Sequence, residues 1–119
     1  MKYAGFSLFE LLVVIAVVGI LAAVSVPRFA DFRATAYDSR SQQDLRNLAS
    51  AQELFRASNE SYATEIGALT SFRPSEGVQI GIESADQTAF RASARHPAGA
   101  NVYTWDSAAS PPLSVHPSG

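Results

Sequence analysis

Apolar residues are concentrated near the amino end of the chain, and the rest of the sequence has the composition of an ordinary soluble protein. From Phe6 to Val26 the only polar side chains are Ser7, Glu10 and Ser25. An α-helix of this length would extend about 31 Å, since each residue adds about 1.5 Å, and the hydrocarbon core of a bilayer is about 30 Å thick. The pattern therefore predicts one apolar helix of membrane length.

Two common kinds of segment have this length and composition. One is a permanent transmembrane anchor. The other is a cleaved secretory signal, with Lys2 before the apolar run and a small-x-small site at Ala23–Ser25. Glu10 serves neither kind of segment. Inserting a charge at the bilayer centre costs about 2.5–3.5 kcal/mol, and a charge near the end of the segment costs less but is still unfavourable. A carboxylate inside a membrane is usually paired, so we expect Glu10 to have a partner.

The helix is expected to continue beyond the apolar segment. Gly19 and Pro27 are weak points, because glycine is a poor helix former and proline lacks an N–H, so the stretch between them can bend or unwind. A simple kink is the preferred interpretation for the free subunit, and local melting would let the subunit extend in a filament. Residues 29–57 contain neither glycine nor proline. Four of them recur at helical spacing and predict a stripe that faces a sheet: Leu45, Leu48, Gln52 and Phe55.

The carboxyl-terminal half has the alternating pattern of short β-strands. Apolar and polar residues alternate over Val78–Glu83, Phe90–Arg95 and Asn101–Asp106, and turn-like residues separate these runs. Three strands at this spacing predict an antiparallel meander, whose apolar face the helix stripe would cover. Residues 108–119 are small and proline-rich without periodicity, which predicts a mostly irregular tail.

Composition and charge exclude several functions. The net charge of −2 argues against nucleic-acid binding and against a polybasic membrane contact. Without cysteine the chain has no disulfide, thiolate metal site or thiol nucleophile. No nucleophile elbow, P-loop or metal-ligand spacing occurs, so we expect neither an enzyme nor a cofactor nor a metal. Glu83, Asp86 and Asp106 are too scattered to predict a calcium site.

Charged residues outside the apolar segment are expected on solvated faces. Arg40 and Asp44 are four residues apart in the helix, and such a pair contributes a few tenths of a kcal/mol. Arg91 and Arg95 share one face of a predicted strand. They could form a basic stripe for a polyanion such as DNA, but a solvated outer face is the preferred interpretation.

The stretch Gly5-Phe6-Ser7-Leu8-Phe9-Glu10-Leu11-Leu12 resembles the prepilin signature of type IV pilins and type II secretion pseudopilins. The similarity continues through Gly19 and Pro27, and the following helix resembles that of short type IVa pilins of metal-respiring bacteria. The resemblance implies that a prepilin peptidase cuts between Gly5 and Phe6 and methylates the new amine of Phe6. It also implies that Glu10 is the assembly carboxylate.

The expected pairing follows from helix geometry. After cleavage, the Phe6 ammonium would lie four residues before Glu10, and such residues share a helix face. In a staggered stack of helices, Glu10 of one subunit would therefore reach the ammonium of its neighbour. Such a pair would neutralise the buried charge only upon assembly.

On this basis the chain divides into six parts: a leader peptide (1–5), a transmembrane and filament-core helix (6–27), its amphipathic continuation (28–58), a connecting loop (59–76), an antiparallel β-meander (77–107) and a C-terminal tail (108–119). The expected fold is the α+β pilin fold. In it, the long helix packs on a small antiparallel sheet of three to four strands.

The expected function is that of a structural subunit of a type IV pilus. The precursor would be held in the inner membrane and then polymerised into a helical homo-oligomeric filament at the cell surface. Implied partners are the prepilin peptidase, the inner-membrane assembly platform and the motor ATPases, whereas nucleic acid is not expected. Two alternatives remain open: the major pseudopilin of a type II secretion system, and a membrane-anchored monomeric binding domain.

Overall fold

A computed structural model describes residue 5 and residues 7–118 of the protein, except for the side chains of residues 24–28. Its elements are a long helix α1 (Leu8–Asn59), a 3₁₀ helix (Ile66–Ala68), and the strands β1 (Gln79–Ala85), β2 (Phe90–Arg95), β3 (Asn101–Asp106) and β4 (Leu113–Pro117). The chain divides into two compact units, residues 1–32 and 33–119. In the second unit the helix packs on an antiparallel sheet, which confirms the predicted α+β fold.

Helix α1 is continuous between its two ends. Neither Gly19 nor Pro27 interrupts it. The helix ends at Asn59. Glu60 has a φ of 61°, and its N–H donates to the carbonyl oxygen of Arg56 at 2.8 Å. A residue in the left-handed region with this hydrogen bond is a common way to close the last helical turn.

The sheet has four antiparallel strands in the order β1-β2-β3-β4. Strands β2 and β3 have the predicted bounds, whereas β1 begins one residue later and ends two residues later than predicted. The prediction of an irregular tail is wrong over Leu113–Pro117, which pairs with β3 as the edge strand β4. Prolines at the start and end of this segment concealed it, but an edge strand tolerates proline because one side of its backbone has no neighbour to bond.

The core lies between the second half of α1 and one face of the sheet. The predicted helix stripe is confirmed, since Leu45, Leu48 and Gln52 are fully buried and Phe55 packs beside them. From the sheet, the buried side chains are Phe90, Ala92, Ala94 and Tyr103. Small alanines in the central strand allow the helix to approach the sheet closely, so a short sequence still encloses a continuous core.

The connecting loop is held to the helix by one buried amide. The Gln52 side-chain nitrogen donates to the Ala63 carbonyl oxygen at 2.9 Å, and the Ala63 N–H donates to the Gln52 amide oxygen at 2.8 Å. Both polar groups of Gln52 are therefore satisfied at a fully buried position. Tyr62, Leu69 and Phe72 of the same loop then complete the core.

Two aspartates that we expected on a solvated helix face are buried. Asp38 and Asp44 lie on the same side of α1 as Leu45 and Leu48. The Asp44 carboxylate accepts hydrogen bonds from the N–H and the hydroxyl of Ser75, at 2.7 and 2.9 Å. The predicted pairing of Asp44 with Arg40 is therefore wrong, because the loop donors occupy the carboxylate.

Candidate functional site

Helix α1 begins with a side-chain cap at Ser7. The Ser7 hydroxyl oxygen accepts the N–H of Glu10 at 3.1 Å, and the Ser7 carbonyl oxygen accepts the N–H of Leu11 at 3.1 Å. Ser7-x-x-Glu10 thus has the spacing of a capping box, a pattern that marks helix starts. The sequence contains this signal, yet reasoning from Glu10 as a membrane charge alone missed it.

The Glu10 carboxylate lies in the first turn of α1, where a negative charge interacts favourably with the helix dipole. Its side chain is exposed, and within the described part of the chain its carboxylate makes no hydrogen bond or ion pair. Only its backbone N–H is used by the cap. The carboxylate is therefore available to a partner from outside these residues.

Of the two residues at the predicted cleavage site, the structure describes only Gly5. Gly5 is exposed, and no heavy atom lies within 4 Å of where a Cβ would stand. Phe6, the predicted new amino terminus, lies outside the described residues. The predicted cleavage and the pairing of Phe6 with Glu10 therefore stay predictions.

The apolar half of α1 exposes all its described side chains. Every residue from Ser7 to Ala23 is exposed, including Leu8 at 81%. Soluble monomers rarely expose continuous apolar surface of this extent, so such a surface marks a site of interaction. Among the residues with described placement, no helix is both long and apolar enough to cross a membrane.

Gly19 and Pro27 were predicted as points of helix flexibility. Gly19 lies within the exposed apolar stretch, and a Cβ there would meet no atom within 4 Å. Pro27 lies within α1, but its side chain is outside the described set. Both residues are helical in this structure, which shows a single conformation. Flexibility at these positions therefore stays a prediction.

The acidic residues considered for calcium do not converge. Glu83 pairs with Arg91, Asp86 accepts the N–H groups of Thr88 and Ala89, and Asp106 accepts the N–H of Ala108. Across the described residues, no group of histidine and acidic side chains is arranged to hold a metal ion.

The amino-terminal segment matches a known family motif. A family model described as the prokaryotic N-terminal methylation motif matches residues 1–26. This match covers the predicted leader, Gly5, Phe6, Glu10 and most of the apolar half of α1.

Curated relatives extend the similarity beyond this segment. The chain is 35% identical over 98 residues to the type IV wide pilus major component PilA4 of Thermus thermophilus, covering 80% of this chain and 75% of the relative. It is 39% identical over 80 residues to the type IV major pilin PilA of Myxococcus xanthus, covering 65% of this chain but only 34% of that protein. The type II secretion system core protein G of Escherichia coli is 31% identical over 70 residues, covering 59% of this chain and 48% of the relative. The names of the first two relatives describe a pilus component and a pilin, and the name of the third describes a core protein of a secretion system.

Proposed function

Because this chain belongs to the type IV pilin family, we propose that it is a pilus subunit that polymerises through its apolar helix into a surface filament. A precursor would first be held in the inner membrane by residues 6–27. The described residues cover this segment only in part, and its full sequence has the length and apolarity of a bilayer span. The prepilin peptidase would cut between Gly5 and Phe6 and methylate Phe6. The assembly platform and its motor ATPases would then move the subunit into the filament.

The observation that carries this proposal is the wholly exposed apolar surface of α1 between Ser7 and Ala23. Burying such a surface against identical helices from neighbouring subunits removes it from water, at about 25 cal/mol per Å² of apolar area. In such a filament core, each subunit contacts its neighbours through two different surfaces. Its contacts are therefore heterologous and propagate instead of closing.

Glu10 gives this packing its register. Its carboxylate is exposed and makes no hydrogen bond or ion pair within the described residues, although it lies in an otherwise apolar surface. We assign it the Phe6 ammonium of a neighbouring subunit as partner. Removing one member of a buried ion pair costs about 3–5 kcal/mol, because the other charge is left uncompensated, so this pair would penalise every misplaced subunit.

The first test is the intact mass of the chain in the fraction sheared from cell surfaces. We expect an abundant species that begins at Phe6 and carries one additional methyl group. A chain that begins at Met1, or one cut near Val26, would contradict the proposed processing. The pairing is then tested with Glu10→Gln and Glu10→Ala, which should leave a processed subunit in the membrane and lower the filament yield by more than about tenfold. Glu65→Gln removes another exposed carboxylate and serves as the control.

A second candidate function is that of a major pseudopilin of a type II secretion system. The specific observation in its favour is the similarity to the core protein G of Escherichia coli. The same experiment separates the two functions. A processed, methylated chain confined to the membrane fraction, together with loss of protein export on deletion, would favour the pseudopilin.

A further inference from the structure

Two arginines on the same strand have different surroundings. Arg91 and Arg95 both point away from the helix, because the buried positions of β2 alternate with them. The Arg91 Nε lies 3.3 Å from a carboxylate oxygen of Glu83, which a break in the β1–β2 register leaves as an extra residue. Asp106 lies opposite Arg91 on β3. The charge of Arg91 is therefore balanced on both sides.

Arg95 has no such balance. Its partners in the register are Gln79 on β1 and Val102 on β3, and neither is charged. Within the described residues Arg95 makes no ion pair. Val102 in turn lies opposite His116 on the edge strand β4. These four residues cross the outer face of the sheet, and we call them the Arg95 row.

A row of small polar residues lies next to the Arg95 row. In register across the four strands it consists of Gly81, Ser93, Thr104 and Ser114. Thr104 is only 6% exposed, although it lies on the face opposite the helix. No hydrogen bond joins its hydroxyl to any described residue. No buried side-chain oxygen of the described residues lacks a hydrogen-bond partner, so the Thr104 hydroxyl keeps access to solvent and is free to bond a ligand beside the Arg95 row.

We propose that the Arg95 row and Thr104 bind a carboxylate-bearing sugar of an acidic polysaccharide. Arg95 offers a planar pair of donors that matches a carboxylate. Gln79, His116 and the Thr104 hydroxyl can each donate to or accept from sugar hydroxyls. Val102 lies at the centre of the row and presents an apolar contact to the C–H face of a sugar ring. Arg95 and His116 are two strand spacings apart, about 10 Å, which leaves room for this ring between them.

A nucleic acid fits this surface less well. Its affinity comes largely from several phosphate contacts by lysine or arginine, and proteins that bind it usually present a strongly basic patch. Here the protein carries a net charge of −2, and Arg91 is already paired. A polysaccharide with well-separated carboxylates needs only the one uncompensated arginine, and it uses the neutral polar groups that surround it.

Arg91 and Arg95 form a matched pair of variants for the test. The full-length chain in nonionic detergent micelles would be applied to immobilised polygalacturonate, with neutral dextran and duplex DNA as comparison surfaces. We expect Arg95→Gln to weaken binding to polygalacturonate by about tenfold, because a charge-assisted bidentate contact is lost, and Arg91→Gln to change it by less than about twofold. Thr104→Val, which removes the hydroxyl while keeping the shape, should weaken binding about threefold to tenfold.

Several results would overturn the proposal. Equal losses from Arg91→Gln and Arg95→Gln would indicate general electrostatic attraction without a site. Arg95-dependent binding to DNA that is as tight as binding to polygalacturonate would make the surface a nucleic-acid site. Absence of binding by the unaltered chain would also refute it. Fluorescence of Trp105, the single tryptophan, verifies that each variant is folded. Because the assay uses unassembled chains, its outcome does not depend on filament formation.

Discussion

The carboxylate of Asp38 accepts a hydrogen bond from the backbone N–H of Ala100, which follows it by 62 residues, at 3.0 Å. The N–H and the side-chain amide of Asn101 donate to the same carboxylate, each at 3.2 Å. Asp38 is buried on the helix, and its partners begin strand β3. A single side chain thus fixes the turn before β3 against α1 and sets where the sheet sits along the helix.

Replacement of Asp38 should therefore destabilise the second unit. Asp38→Ala leaves two backbone N–H groups and one amide without their acceptor, and we expect the free energy of unfolding to fall by about 3 kcal/mol. Urea unfolding of the full-length chain in detergent, followed by Trp105 fluorescence, measures this change. Glu76→Ala removes an exposed carboxylate and should change the free energy by less than about 0.5 kcal/mol. Equal effects of the two substitutions would contradict the proposed role of Asp38.

Gly99 is required by the same turn. A Cβ at this position would stand 2.5 Å from the Asp38 carboxylate oxygen and 3.3 Å from the His96 carbonyl oxygen. We expect Gly99→Ala to lower the free energy of unfolding by about 1–3 kcal/mol, since the carboxylate must move away from its donors. Gly67→Ala is the control, because a Cβ there meets no atom within 4 Å.

A double-substitution cycle tests the cause of this effect. If Gly99→Ala acts by displacing the Asp38 carboxylate, its cost in the Asp38→Ala background should fall by at least about 1 kcal/mol. Strictly additive losses would show that the two residues act independently.

The end of α1 carries local strain that a substitution can relieve. Glu60 adopts a φ of 61°, a conformation that costs most residues other than glycine about 1 kcal/mol. Glu60→Gly is therefore expected to raise the free energy of unfolding by a few tenths to about 1 kcal/mol, with the entropy of glycine in the unfolded chain offsetting part of the gain. Ser58→Gly, within the last helical turn, should lower it by about 0.5–1 kcal/mol. Loss of stability in Glu60→Gly would refute this explanation of the helix end.

Repeating patterns predicted the helix and three of the four strands, because each of these elements buries one face. Leu45 and Leu48 recur at helical spacing, and Phe90 and Ala92 alternate with exposed residues. The sequence pattern therefore predicts these residues of the core. Strand β4 was not predicted, because an exposed edge strand bounded by prolines has no buried face to impose a pattern. Because β4 was not predicted, the position of His116 in the Arg95 row was not predicted either, since it depends on the pairing of β4 with β3.

The buried carboxylates of Asp38 and Asp44 could not be predicted from the sequence for a different reason. Asp38 and Asp44 follow the charge pattern of a solvated helix face, and only contacts with residues more than thirty positions away show that they are buried. The helix cap differs, since Ser7 and Glu10 are three residues apart and their pattern is local. Gly5, Phe6 and Glu10 match a family signature, and the cleavage that this signature implies depends on a peptidase outside the chain.

The β1–β2 turn predicts how stability responds to acid. The N–H groups of Thr88 and Ala89, followed by the Thr88 hydroxyl, donate to the Asp86 carboxylate and lower its pKa below the usual value of 3.8. A carboxyl group with a lower pKa in the folded state stabilises that state above the pKa of the unfolded chain. This contribution is lost as the pH falls through the folded-state pKa. The unfolding temperature of the unaltered chain should therefore decrease as the pH is lowered below about 4.

Asp86→Asn removes this titration while keeping an oxygen that can accept the same N–H groups. Its unfolding temperature should be lower than that of the unaltered chain at pH 6, and the difference should narrow as the pH falls below about 4. Thermal unfolding of both full-length chains across this pH range measures the difference. Glu65→Gln, at an exposed position away from the turn, should leave the pH profile parallel to that of the unaltered chain. A constant difference between Asp86→Asn and the unaltered chain at every pH would assign the effect of Asp86 to shape instead of charge.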